Sequence, residues 1–247
     1  MSQDHPPFHV IAGEQSRGLM LICDHASNRI PVALQDLGLG AAELSQHIAW
    51  DIGAAEVTRL LAARFRAPAV LCGTSRLVID CNRDPGDPAA MPAVSDGIAI
   101  PGNAKITLWD RTERISRWFE PYHAAIETVL SGVLAAKAET VLVSIHSMTP
   151  VMKGFSRPWP IALSWRDDDR LVTPMLAALR RRIGPEVGDN EPYDLDPKED
   201  YSVPAHAMRR GLRHLQVEFR QDLVADAAGV AQWAGVFGDA LQEVLAI

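Results

Sequence analysis

Strand-length apolar runs separated by longer stretches of helical period constrain this chain more than any other feature. The runs are Leu19–Cys23, Ala69–Cys72, Leu77–Cys81, Val141–Ile145, Ile161–Ser164 and Leu215–Phe219. Between them, helices are expected at about residues 43–65, 109–137, 168–183 and 222–246. Such alternation is the sequence sign of an α/β fold with a mainly parallel sheet covered by helices. The 109–137 segment repeats Ile115, Trp118, Phe119, Tyr122, Ile126, Val129, Leu130 and Val133 at three- and four-residue spacing. A core-facing helix explains that pattern without any function.

Composition narrows the classes further. With 247 residues, 47% apolar and 22% charged, the chain can bury a core and is not disordered; residues 1–247 are expected to form one domain. A net charge of −7 offers nothing to a polyanion, so nucleic acid and anionic membrane are not expected partners. No stretch approaches the roughly 20 apolar residues of a membrane helix. The start MSQDHPPFHV has no basic segment leading into an apolar one, so the chain reads as cytoplasmic. Cys23, Cys72 and Cys81 lie in apolar runs without CxxC spacing, which argues against a disulfide scaffold or a thiolate zinc site. Residues 84–103 and 184–204, rich in Pro, Gly, Asp and Asn, read as long loops, either lids or plain excursions.

His25 follows the run LMLICD and His146 follows VLVSI, so two imidazoles sit at equivalent ends of two strands. Ligands of open α/β sheets bind at those ends, and neutral imidazole is the commonest protein metal ligand. Leu44, Ile48, Asp51 and Ala55 share a helical stripe, which would turn Asp51 towards the sheet as a third, anionic ligand or as half of an ion pair. His47 on the same stripe is a further candidate ligand or supporting partner. Asn28 lies three residues beyond His25, where some zinc hydrolases carry a carboxylate, but a neutral amide binds zinc poorly. In HLQVEFRQD, alternation turns Gln216, Glu218 and Arg220 to one face. Glu218 is there either a general base or a surface partner of Arg220. Arg76, and Asn82 with Arg83, flank the run Leu77–Cys81 and could receive a substrate carboxylate, since a guanidinium binds carboxylate with two parallel hydrogen bonds. Alternatively, Asp80 or Asp84 simply neutralises Arg83. Arg157 is a weaker candidate of the same kind.

Taken together, LICDHASNRIP, HIAWDIGA, SRLVIDCNRDP, SIHSMTP, VGDNEPY and VEFRQDL resemble, in order, the N-formylglutamate amidohydrolase family from about residue 18 to 240. The resemblance implies a three-layer α/β/α fold with a mainly parallel mixed sheet, shared with zinc exopeptidases, aspartoacylase-like deacylases and cell-wall amidases. It implies one zinc per chain, held by His25, His146 and a carboxylate, with Glu218 activating water. Cell-wall amidases draw their carboxylate from the helix after the first strand, which favours Asp51. Asp80-Cys81-Asn82-Arg83 is similar to the acid-binding Asp-Leu-Asn-Arg segment of aspartoacylase-like enzymes. Where enzymes of histidine breakdown usually carry Pro-His-Ser-Gly, this chain has Asp24-His25-Ala26-Ser27. It therefore reads as a separate branch, in which the hydrolase chemistry is better supported than the formyl substrate.

The expected activity is hydrolysis of a small N-acyl amino acid, with Arg76 beside the developing oxyanion and Asn82 and Arg83 on the substrate carboxylate. Alternatives are a zinc carboxypeptidase or peptidoglycan-type amidase, and a non-catalytic small-molecule binding protein.

Overall fold

The computed structural model describes residues 5–246. Seven strands form one sheet: β1 (Phe8–Ile11), β2 (Leu19–Cys23), β3 (Ala69–Cys72), β4 (Val141–Met148), β5 (Ile161–Ser164), β6 (Val187–Asp189) and β7 (Arg213–Arg220). Their order is β1-β3-β2-β4-β7-β5-β6. The central strands β3, β2, β4 and β7 run parallel, β1 is antiparallel to β3, and β5 is antiparallel to β7. The sheet is therefore mixed and mainly parallel, as expected.

Every residue of β2 is buried, because helices or packed loops cover both faces of the sheet. Leu19, Leu21 and Cys23 face one core with α1 (Ala54–Phe65), α4 (Val172–Ile183) and α6 (Ala227–Leu245). Met20 and Ile22 face the other, which contains Tyr122, Ile126 and Leu130 of α3 (Glu120–Ala136). Burying side chains such as Phe237 or Leu130 contributes about 1.5–3 kcal/mol each.

Four expectations need correction. Leu77–Cys81 is buried but forms consecutive turns instead of a strand, with Val78 N–H donating to Ser75 O and Arg83 N–H to Asp80 O. A short apolar run has no period to distinguish a strand from a buried turn. The helix expected over 43–65 is broken into one turn, Ala41–Leu44, and α1. Its break ends at Gly53, where φ is +81° and a Cβ would lie 2.3 Å from the Val224 carbonyl oxygen, so only glycine fits. The 109–137 segment comprises α2 (Leu108–Arg114), a π turn over Ile115–Phe119 and α3. Finally, 184–204 is not all loop: it carries β6 and the start of α5 (Ser202–His206). The 84–103 segment holds a small hairpin, Val94–Ser95 with Ile98–Ala99, and a second hairpin pairs Val151–Met152 with Phe155–Ser156.

Candidate metal centre and active site

Because β2, β4 and β7 are parallel, their carboxyl ends lie along one edge of the sheet. His25 comes just after β2, while His146 and Glu218 lie near the ends of β4 and β7. Asp51 joins them by a route the helical stripe did not foresee: it lies in the irregular stretch before α1. Its amide donates to the His25 carbonyl at 3.0 Å. This stitch holds Asp51 against the end of β2.

His25 Nδ1 is 3.3 Å and His146 Nδ1 2.9 Å from Asp51 Oδ2. Within this trio, one ligand atom from each residue falls within 4.8 Å of the others, and all three side chains are buried. The remaining ring nitrogens also face carboxylates: His25 Nε2 donates to Asp80 Oδ1 at 2.7 Å and His146 Nε2 to Asp24 Oδ2 at 3.2 Å. Asp24 is itself clamped by Tyr122 Oη at 2.9 Å, Ser202 Oγ at 2.5 Å and Ser144 Oγ at 3.2 Å. Arg76 grips Asp80 through Nε and Nη2 and approaches Asp51 Oδ1 at 3.4 Å.

The electrostatics follow from this crowding. Burial and Arg76 both push His25 down, but Asp80 and Asp51 outweigh them and lift it to about 9. His146 is likewise held well above its usual range, with Asp24 and Asp51 overcoming burial. Burial would raise Asp51, yet the two histidines hold it well below the ordinary carboxylate range. Asp24, against its burial, is pulled to about 2 by His146, His25 and Ser202. Carboxylates that retain protons on two imidazoles also favour a divalent cation in the protons' place. Two imidazole nitrogens and a carboxylate oxygen are a common zinc donor set, and histidines braced by carboxylates are the usual support for it. The residues present therefore fit a single metal ion.

Glu218 is buried and lifted to about 7, chiefly by desolvation, with Asp51 adding to the rise and His146, His25 and Arg76 opposing it. Two cavities of about 370 Å³ meet at Asp51, Arg76, Asp80 and Arg83. The loop chamber contains His25, His146 and Glu218, and is bordered by Pro192, Asp194 and Asp200. The hairpin chamber lies under both small hairpins and contains His47, Asp96, Lys153 and Arg157.

The other candidates are distributed differently. Asn28 donates to the Leu44 carbonyl at 2.9 Å and lines neither chamber, so the amide is a structural tie and Asp51 completes the trio. His47 faces Asp96 at 3.2 Å, outside the metal-competent cluster. Asn82 reaches the loop chamber, but its amide donates to Asp200 and accepts from the amides of Tyr201 and Ser202. Arg83 borders both chambers with only a 3.8 Å contact to Asp87. Arg220 lines neither chamber: it pairs with Asp222 and donates to the Arg157 carbonyl, propping the end of the second hairpin. Sequence reasoning does not single out Asp24, Tyr122 or Ser202 as site residues, and it places Asp80 only beside Arg83 or within the acid-binding-like segment, not against His25. Asp24 did carry a signal, being a carboxylate that closes an apolar strand and must be paired if buried.

A mainly parallel α/β sheet with a buried histidine–carboxylate cluster at its strand ends defines a metal-competent α/β protein. The family model of N-formylglutamate amidohydrolase matches residues 17–225, and the chain belongs to that family of hydrolases. A solved gene product from Agrobacterium tumefaciens is 36% identical, with a TM-score of 0.91 over 98% of this chain and 95% of its own. The N-formylglutamate amidohydrolase from Ralstonia eutropha JMP134 is 20% identical with a TM-score of 0.70, over 97% of each chain, and shares the fold. A search of curated proteins found no match.

Proposed function

We propose that this protein is a zinc-dependent amidohydrolase that cleaves the amide of an N-formyl or other small N-acyl amino acid. The observation that carries the reading is the pairing of Glu218 with His146 across β7 and β4, in the chamber that also contains His25 and Asp51. His25, His146 and Asp51 would hold the zinc, which when bound supplies Lewis-acid polarisation and a more acidic water. Glu218 accepts the proton of the attacking water and returns it to the departing amine; its elevated pKa of about 7 suits both transfers near neutral pH. Arg76, already fixed by Asp80, directs positive charge at the oxyanion that develops on the carbonyl. Arg83 adds positive charge at the junction of the chambers.

Metal analysis of the purified protein, together with a panel of N-formyl, N-acetyl and longer N-acyl amino acids, tests the reading. One zinc per chain and turnover of a short-chain member are expected. A protein that binds zinc but hydrolyses none of them would overturn it.

A further inference from the structure

The hairpin chamber carries a charge that the proposed chemistry does not use. Three carboxylates line it, Asp51, Asp80 and Asp96, with four Arg or Lys side chains, Arg76, Arg83, Lys153 and Arg157. Asp51 and Asp80 face Arg76 and His25, and Asp96 lies 3.2 Å from His47 Nε2. Arg83 is near Asp87. Among the described residues, Lys153 and Arg157 form no ion pair.

Arg157 is the more telling of the two. It is only 5% exposed, and its guanidinium donates to neutral acceptors, Thr149 O and Oγ1 at 3.2 Å and Tyr193 Oη at 2.6 Å. It also lies 4.9 Å from the centre of the Tyr193 ring. Burying a cation without a counter-charge is unfavourable, and this one occurs in a protein whose net charge is −7. Three hydrogen bonds and a stacked ring fix the guanidinium plane before any ligand arrives, as a preorganised receptor requires. Lys153, at the exposed hairpin tip four residues earlier, adds a mobile charge at the mouth. The loop chamber has the more acidic balance: Asp194, Glu199, Asp200 and Glu218 join Asp51 and Asp80 there, against Arg76, Arg83 and the two imidazoles of His25 and His146. On side-chain charge, an anionic group is better accommodated in the hairpin chamber.

We infer that Arg157, assisted by Lys153, is the receptor for the substrate's carboxylate, which enters the hairpin chamber while the amide lies at the junction beside Asp51 and Arg76. This rests on the amidohydrolase reading for the identity of the carboxylate, but the receptor itself does not. It also moves acid recognition away from Asn82, whose amide is already engaged with Asp200, Tyr201 and Ser202.

Glutarate, which has no amide, reports binding alone. Calorimetric titration of the full chain should show glutarate binding, and monomethyl glutarate should bind more weakly. Arg157→Lys keeps the charge but loses the planar fork, and should weaken glutarate by about ten-fold or more, the scale of a charged hydrogen bond. Lys153→Met, at an exposed position that does not endanger folding, should weaken it by about three-fold, as loss of a screened surface charge would. Undiminished affinity in both variants, or in Lys153→Met alone if Arg157→Lys does not fold, overturns the inference, as does a wild-type protein that ignores glutarate. Glutarate binding that depends on Arg157, in a protein that hydrolyses no N-acyl amino acid, would sink the hydrolase reading and leave the receptor standing.

Discussion

Glu218 and His146 are register partners on adjacent parallel strands, so their side chains emerge side by side on one face, with the strands about 4.8 Å apart. Shape and proton acceptance can therefore be separated by a single substitution. On the proposed mechanism, Glu218→Gln keeps the volume but removes the proton acceptor, and turnover should fall by about 100-fold or more while bound zinc, measured by atomic absorption, stays at the wild-type level. Near-normal turnover would return Glu218 to a structural role.

The proposed zinc site separates four variants. On that reading His25→Ala and His146→Ala should each abolish zinc binding, and Asp51→Ala should weaken it strongly. Asn28→Ala removes only the bond to the Leu44 carbonyl; it should retain zinc and lose about 1 kcal/mol of stability. Competition with a chelating dye ranks the four variants. Full occupancy in either histidine variant would displace that residue from the site.

The clamp on Asp24 makes a subtler prediction. Tyr122 and Ser202 touch no donor atom directly, but they hold the carboxylate that orients His146. Tyr122→Phe and Ser202→Ala should weaken zinc by about 10–100-fold, the usual effect of losing a supporting hydrogen bond behind a metal ligand. If both variants bind zinc as tightly as wild type while melting lower, the clamp serves the core alone.

His123, buried on α3 with Nε2 facing the Cys81 carbonyl and Nδ1 2.9 Å from His206, predicts a pH dependence of stability. Burial first, and then His206, push it down to about 4, against about 6.5 in an unfolded chain. Between those values the unfolded state binds the extra proton, so stability is full above about pH 6.5 and declines as pH falls towards 4. The contribution is about 3 kcal/mol at most, from about 1.4 kcal/mol per pKa unit. Urea unfolding of wild type and His123→Gln at pH 7 and pH 4.5 should show a smaller pH-dependent loss in the variant. Equal losses would mean that another group is responsible.

Periodicity and chain order were enough to place His25 and His146, because a residue that follows a buried strand of a parallel sheet emerges at the sheet's carboxyl edge wherever its neighbours lie. Alternation along β7 likewise turned Glu218, though not Arg220, into the cleft. The mainly parallel sheet and most of its strands followed from the same one-dimensional signal, which depends only on which residues must be buried. What remained hidden depends on contacts between distant segments. Asp51 joins the histidines from a different element than the helical stripe implied: its position comes from the bond between its amide and the His25 carbonyl and from the turn at Gly53. The clamp joins Asp24 to residues 98 and 178 positions away, and no local pattern encodes such a separation. In the sequence Arg157 is the weaker of several arginines able to receive a carboxylate; the packing around it shows a buried cation without one. Burial and hydrogen-bond partnership are properties of the assembled core, and they become visible only when the tertiary structure brings the segments together.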